Sequence, residues 1–225
     1  HRDPAAQHLV VEAKPFSKSV VVIRHTGSAT LAQNIEFLVG DSAQLSVICV
    51  QQWDDDAVHA SAQYAKLGRD SRFKHVCISL GGDLVRVTPS TKFTQLGAET
   101  EMYGLYFVDA GQHIESRLFV DHSVPNCKSR VTYKGALQGK GAHSVWVGDV
   151  LIGKDAEGTD TYELNRNLLL EVGPRTLRSR PDVLRVRATR RLPVSWMMST
   201  CGTCRRAVFL RLRRAVWWCA ASSTK

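Results

Sequence analysis

The sequence predicts a mainly β chain wound as a parallel β-helix. Two observations carry that prediction. Strict apolar–polar alternation runs through SVVVIRH, NIEFLV, QLSVICV, RFKHVCISL, DLVRVT, ESRLFVDH and AHSVWVGDVLI, which is the period of a strand with one buried face. A cadence of Gly, small, polar and apolar residues also recurs at a near-constant step. It begins GDSAQLSVICV from Gly40, GRDSRFKHVCI from Gly68 and GAETEMYGLYF from Gly97, with two further members from Asn126 and Gly153, at steps of 28, 29, 29 and 27 residues. A sandwich of hairpins has no need of a fixed step, whereas a solenoid does, because one coil cannot bury its apolar face alone.

Taken in order, the cadence places small residues at Ala43, Ser71, Thr100 and Ser129, and polar ones at Gln44, Arg72, Glu101 and Arg130. Apolar residues follow at Leu45, Phe73, Met102 and Val131, while the fifth segment has Gly158 at that place. Turn signals separate the strands: HTGS, VGDS, LGRD, LGGD, DAGQ and QGKG. The best helical candidate is DDAVHASAQYAKL, which also reads as a strand after an irregular connection.

Composition divides the chain near Gly173. Residues 174–225 carry twelve Arg and one Lys against the single acid Asp182, a charge of +12, whereas residues 1–173 carry −3. All eight His lie at or before His143, and three of the five Trp lie after residue 195. The basic character therefore belongs to a tail, 173–225, and the β-helix core to residues 1–172. The six Cys, with no secretory signal, point to thiols rather than disulfides. No apolar run is long enough to span a bilayer. The expectation is a cytoplasmic chain whose beginning is lost.

Chemical motifs are sparse. His113 and His122 flank one strand near Asp109, Glu115, Asp121 and Cys127. Those residue types ligate metals, but no HxH or CxxC spacing organises them, so His113, His122 and Cys127 stand as metal or interface candidates and no metal is assigned. WDDDAVHA reads as a solvated turn. CGTC, at 201–204, is half a zinc site. Asn165 and Asn167 alternate, so both can face one side of a strand and form ladders between coils. No nucleotide-binding or nucleophile motif is present, and no catalytic residue is assigned.

FVDHSVPNCKSRVTYKGALQGKGAHSVWVGDVLI and EGTDTYELNRNLLL resemble the SufB/SufD family of iron–sulfur cluster assembly proteins. DAGQHIESRLFVDH and AQNIEFLVGDSAQLSVICVQQWDDDAVH resemble its SufD branch from actinobacteria. The likeness covers about residues 5–172, and Thr159, Asp160, Asn165 and Asn167 lie in its most specific block, where a structural role is expected. The resemblance implies a right-handed parallel β-helix flanked by helical regions. It implies a scaffold that is not an enzyme and holds no tight cofactor, a transient iron–sulfur cluster forming in the complex. The implied partners are SufB, through β-helix pairing, and the ATPase SufC, through a C-terminal helical region; no membrane or nucleic acid is implied.

The tail departs from the family. Trp196-Met197-Met198 must be encoded TGG ATG ATG, which one base earlier reads as Asp-Asp, and the neighbours permit DDEHLWYLQAR. The same shift permits GAGHASATG from RVRATRRLP and VVRGFFNE from VWWCAASSTK. These are the segments, including an interface His, that the family places there. The reading is a frameshift near Gly173 that scrambles the SufC-binding end. A genuine tail would instead suit RNA phosphates or a membrane surface. The alternative functions are a basic-tailed nucleic-acid-binding β protein and a β-helix carbohydrate-active enzyme, although no privileged carboxylate pair supports the latter.

Overall fold

The computed structural model describes residues 3–170, together with the backbone of Arg178–Ala188, Arg211–Leu212 and Ala215–Val216. Two parallel sheets wind around one interior. The first sheet runs β1 (Ala5–Ala13), β3 (Thr30–Val39), β5 (Val58–Leu67), β7 (Leu84–Phe93), β9 (His113–His122), β11 (His143–Ile152) and β13 (Arg178–Ala188). The second holds β2 (Lys18–Gly27), β4 (Gln44–Trp53), β6 (Arg72–Leu80), β8 (Glu99–Val108), β10 (Lys128–Leu137) and β12 (Asp160–Leu169). Successive strands alternate between sheets, and each pairs in parallel with the strand one coil away. This is a β-solenoid of about six turns, as the alternation and cadence predict. No helix occurs among the described residues. DDAVHASAQYAKL is therefore no helix: β5 alternates His59, Ser61, Gln63 and Ala65 inward with Ala60, Ala62, Tyr64 and Lys66 outward.

The inward residues close the core. Ile35, Phe37, Leu45, Val47, Leu67, Phe93, Val131 and Leu137 are all essentially inaccessible, and this apolar area removed from water drives the winding. The backbone ladders satisfy the amides between coils. Arg72 N donates to Ala43 O (2.8 Å), Glu99 N to Ser71 O (2.9 Å), Lys128 N to Ala98 O (3.0 Å) and Asp160 N to Cys127 O (3.1 Å).

These bonds correct the sequence cadence. Ala43 and Ser71 are equivalent, but the next members are Ala98 and Cys127, not Thr100 and Ser129. Thr100 and Ser129 sit opposite Leu45 and Phe73, one inward position further along. The expected register slips by two residues, and side-chain direction repeats every two, so the slip left every residue on its proper face.

Each entry into the second sheet uses the same backbone device. The residue two before the strand has positive φ: Phe16 (61°), Ser42 (56°), Asp70 (51°), Gly97 (78°), Asn126 (58°) and Gly158 (71°). Gly158 thus occupies a left-handed turn position, not the apolar position the cadence gave it. A Cβ there would also strike the Asn126 carboxamide one coil below.

Candidate functional site

The family-like block forms β12, the last described strand of the second sheet. Asn165 and Asn167 share one side of the strand, as expected; that side faces inward, and they do not form an Asn ladder. The Tyr106 hydroxyl, two coils away on β8, is shared between Asn165 Oδ1 (3.2 Å) and Asn167 Oδ1 (2.5 Å). It reaches them because the intervening rung is Gly135. A Cβ at Gly135 would overlap the Tyr106 ring and the Asn167 oxygen. Tyr133 leans the opposite way over Gly104, where a Cβ would meet its ring. Two Tyr–Gly pairs thus interlock β8 and β10, each ring filling the space its partner lacks. The sequence signal was present in YGLY and YKG but acquires meaning only once the rungs are aligned.

Thr159 and Asp160 begin the same strand. Thr159 Oγ1 donates to Ala156 O (2.9 Å) and closes the turn. Asp160 is half-exposed and pairs with Arg130, whose hydrogen bond and charge hold the carboxyl below its usual range. The Arg130–Asp160 contact is an ion pair of the exposed kind, which contributes little to stability.

Between them, Glu163 occupies an inward position that holds Val131 one rung below. Its stem reaches solvent, yet neither carboxyl oxygen does, and neither has a hydrogen-bond partner among the described residues. Burial, then the nearby charge of Asp149, pushes its pKa up to about 8. Gly148 leaves room for this carboxyl, since a Cβ there would meet Oε2. Sequence reasoning passed over Glu163 because a Glu within a polar block reads as outward.

His113, His122 and Cys127 do not converge. His113 and His122 stand at opposite ends of β9 and face differently. His122 is buried against Phe93, with ring centroids 4.6 Å apart, and Nε2 meets Ser129 Oγ at 2.9 Å. Burial lowers its pKa to about 4. Cys127 is buried and donates to the carbonyls of Gln95 and Pro125, both at 3.5 Å. Burial raises its thiol pKa, which suits it poorly to act as a thiolate ligand. His113 instead meets His143, one coil on, with Nδ1 atoms 2.7 Å apart. Among the described residues no group of three or more His, Cys, Asp or Glu is arranged to hold a metal ion. CGTC lies outside the described residues.

A second polar region fills the interior of the early coils. Gln63 Oε1 lies 2.6 Å from His75 Nε2, Trp53 Nε1 donates to His59 Nδ1 (3.3 Å), and Ser79 Oγ donates to Gln51 Oε1 (2.8 Å). Burial lowers His59 and His75 to about 4, so both are neutral at pH 7. Burial also raises Cys49 and Cys77 strongly. These neutral groups make a hydrogen-bonded polar stretch within the core. The aspartates of WDDDAVHA lie on an exposed turn, where Asp55 accepts from Gln112 Nε2 (3.1 Å), while His59 points inward.

The outer faces of the two sheets differ. On the second sheet Val76, Ile78, Tyr103, Leu105 and Phe107 form a partly exposed apolar band, with Leu105 51% accessible. The first sheet presents mainly small, polar and charged groups.

Two parallel sheets wound coil on coil, with interlocked interior rungs, define a parallel β-solenoid. The model for the SUF-system iron–sulfur cluster assembly SufBD core domain matches residues 2–181, and the chain belongs to this family. It is 52% identical over 174 residues to an iron–sulfur cluster assembly SufBD family protein of Mycobacterium leprae, covering 75% of this chain and 44% of that one. A SufBD family protein of Mycobacterium tuberculosis is 51% identical over 174 residues, with the same coverage. One from Synechocystis is 24% identical over 148 residues, 66% of this chain and 32% of that one. The chain thus spans less than half the length of the mycobacterial relatives it matches. No helix among the described residues is long and apolar enough to cross a membrane.

Proposed function

We propose that this chain is a SufD-like scaffold component of the SUF iron–sulfur cluster assembly system. It acts in the cytoplasm with SufB and the ATPase SufC, performs no reaction of its own and holds no resident cofactor. The observation that carries this reading is the SufBD core match across residues 2–181, laid over a continuous two-sheet solenoid. The partly exposed apolar band of the second sheet supports pairing of β-helices. The DAGQHIESRLFVDH and AQNIEFLVGDSAQLSVICVQQWDDDAVH segments support the SufD branch over SufB.

The segment from about Gly173 is the out-of-frame translation of the SufC-binding end. Support comes from the charge break and from three family-like segments recovered in one shifted frame. The tail lies outside the described residues, apart from the short stretches of backbone given above. Affinity capture with the cognate SufB and SufC tests both parts. SufB should be retained by the chain as it stands, and SufC only after residues 173–225 are replaced by the shifted-frame translation. Stoichiometric SufC on the unaltered chain, or no SufB on either, overturns the reading.

A further inference from the structure

We propose that His113 and His143 form a surface chelate for a divalent first-row transition ion of the imidazole-preferring kind. The two residues open β9 and β11 and are register partners one coil apart. Each backbone is pinned by the coil before it: His113 N donates to Asp83 O (2.8 Å) and His143 N to Gln112 O (3.0 Å). Their rings meet edge to face with centroids 4.6 Å apart, and their Nδ1 atoms face one another at 2.7 Å. Both side chains are only half-buried, so an ion and its waters can reach them.

At that separation the two nitrogens can share one proton but cannot both carry one. A metal ion replaces the shared proton. Imidazole nitrogens bind such ions at about 2.0–2.1 Å in tetrahedral geometry, which separates two of them by about 3.3 Å. Opening the pair to that distance needs a small ring rotation and no backbone movement.

Glu115 completes the argument. Its carboxylate lies 3.6 Å from His113 Nε2, on the far side of the ring. It favours the tautomer protonated at Nε2 and leaves the Nδ1 lone pair aimed at His143, the carboxylate–histidine arrangement that orients metal-binding imidazoles. Glu115 is itself held by Arg117 and, at 3.9 Å, by Arg86.

The test uses the full chain and Ni2+ followed by calorimetry. Ni2+ should bind, and His113→Ala and His143→Ala should each lower the affinity of the same one site by about tenfold or more. His8→Ala, which removes an exposed imidazole paired with Glu36, should leave it unchanged. Zn2+ added to 15N-histidine-labelled protein should shift Nδ1 of both residues together. Unaltered Ni2+ binding in either His113→Ala or His143→Ala, or a Zn2+ shift at only one ring, overturns the proposal. Far-UV circular dichroism of each variant separates lost ligation from lost fold.

Discussion

Glu163 shows how one residue sets a pH response. Its folded pKa of about 8 lies above that of an unfolded carboxylate, so the folded chain holds a proton the unfolded chain releases. The stability from this group is therefore fully present below about pH 4, is lost as pH rises to about 8, and is level above that. Replacing the group by its neutral isostere removes the decline. Glu163→Gln should be more stable than the parent by about 2–4 kcal/mol at pH 9 and nearly equal to it below about pH 4. Urea midpoints at the two pH values measure this, and equal midpoints at pH 9 would contradict the assignment. The sequence could not disclose Glu163, because its burial depends on the coil pairing of β12 with β10. His113 was singled out from the sequence, but its pairing with His143 was hidden for the same reason. Thirty residues apart in sequence, they become neighbours only when the coil length is known. By contrast, alternation alone placed Asn165 and Asn167 together on one side of a strand, and the coil pairing supplies which side that is.

At the scale of the element, strands were easier to read than turns. Alternation placed β2, β4, β6, β9 and β11 because each buries one face, and the helical candidate failed for the same reason. Its apolar residues obey a period of two once β5 is laid against β3 and β7. The turns were harder. The left-handed position before each second-sheet strand is filled by Phe, Ser, Asp, Gly, Asn and Gly in successive coils, and no single residue type marks it. Phe16 is the poorest choice, being bulky, at φ 61° and 83% exposed. An L residue in that conformation costs about 1–2 kcal/mol, and Asn tolerates it best after Gly. Phe16→Asn should therefore stabilise the chain by about 0.5–1 kcal/mol, read as a higher urea midpoint with unchanged slope. A lower midpoint would mean that the exposed ring makes a contact the turn geometry does not reveal.

For the whole molecule, the repeat sets what can be removed. Residues 72–98 make one coil, and its excision joins Ser71 to Glu99, whose amide already bonds Ser71 O one coil away. That deletion should leave a shorter folded solenoid with a cooperative urea transition. Excising 72–83 alone, which deletes one strand of one sheet, should yield a chain with no such transition. If both deletions unfold, stability resides in a few special coils rather than in their stacking. The architecture as a class was legible from alternation and cadence, and the family from its motifs. The interlocked Tyr–Gly rungs and the apolar band were not, because both arise from residues about one coil apart. The parallel, in-register winding bears equally on how the chain is made. From β3 to β12, each strand finds a partner in a segment already synthesised, one coil earlier. At ribosomal rates of about 5–20 residues per second, a new coil emerges every few seconds and can dock on the one before it, so assembly keeps pace with translation from the first turn onward.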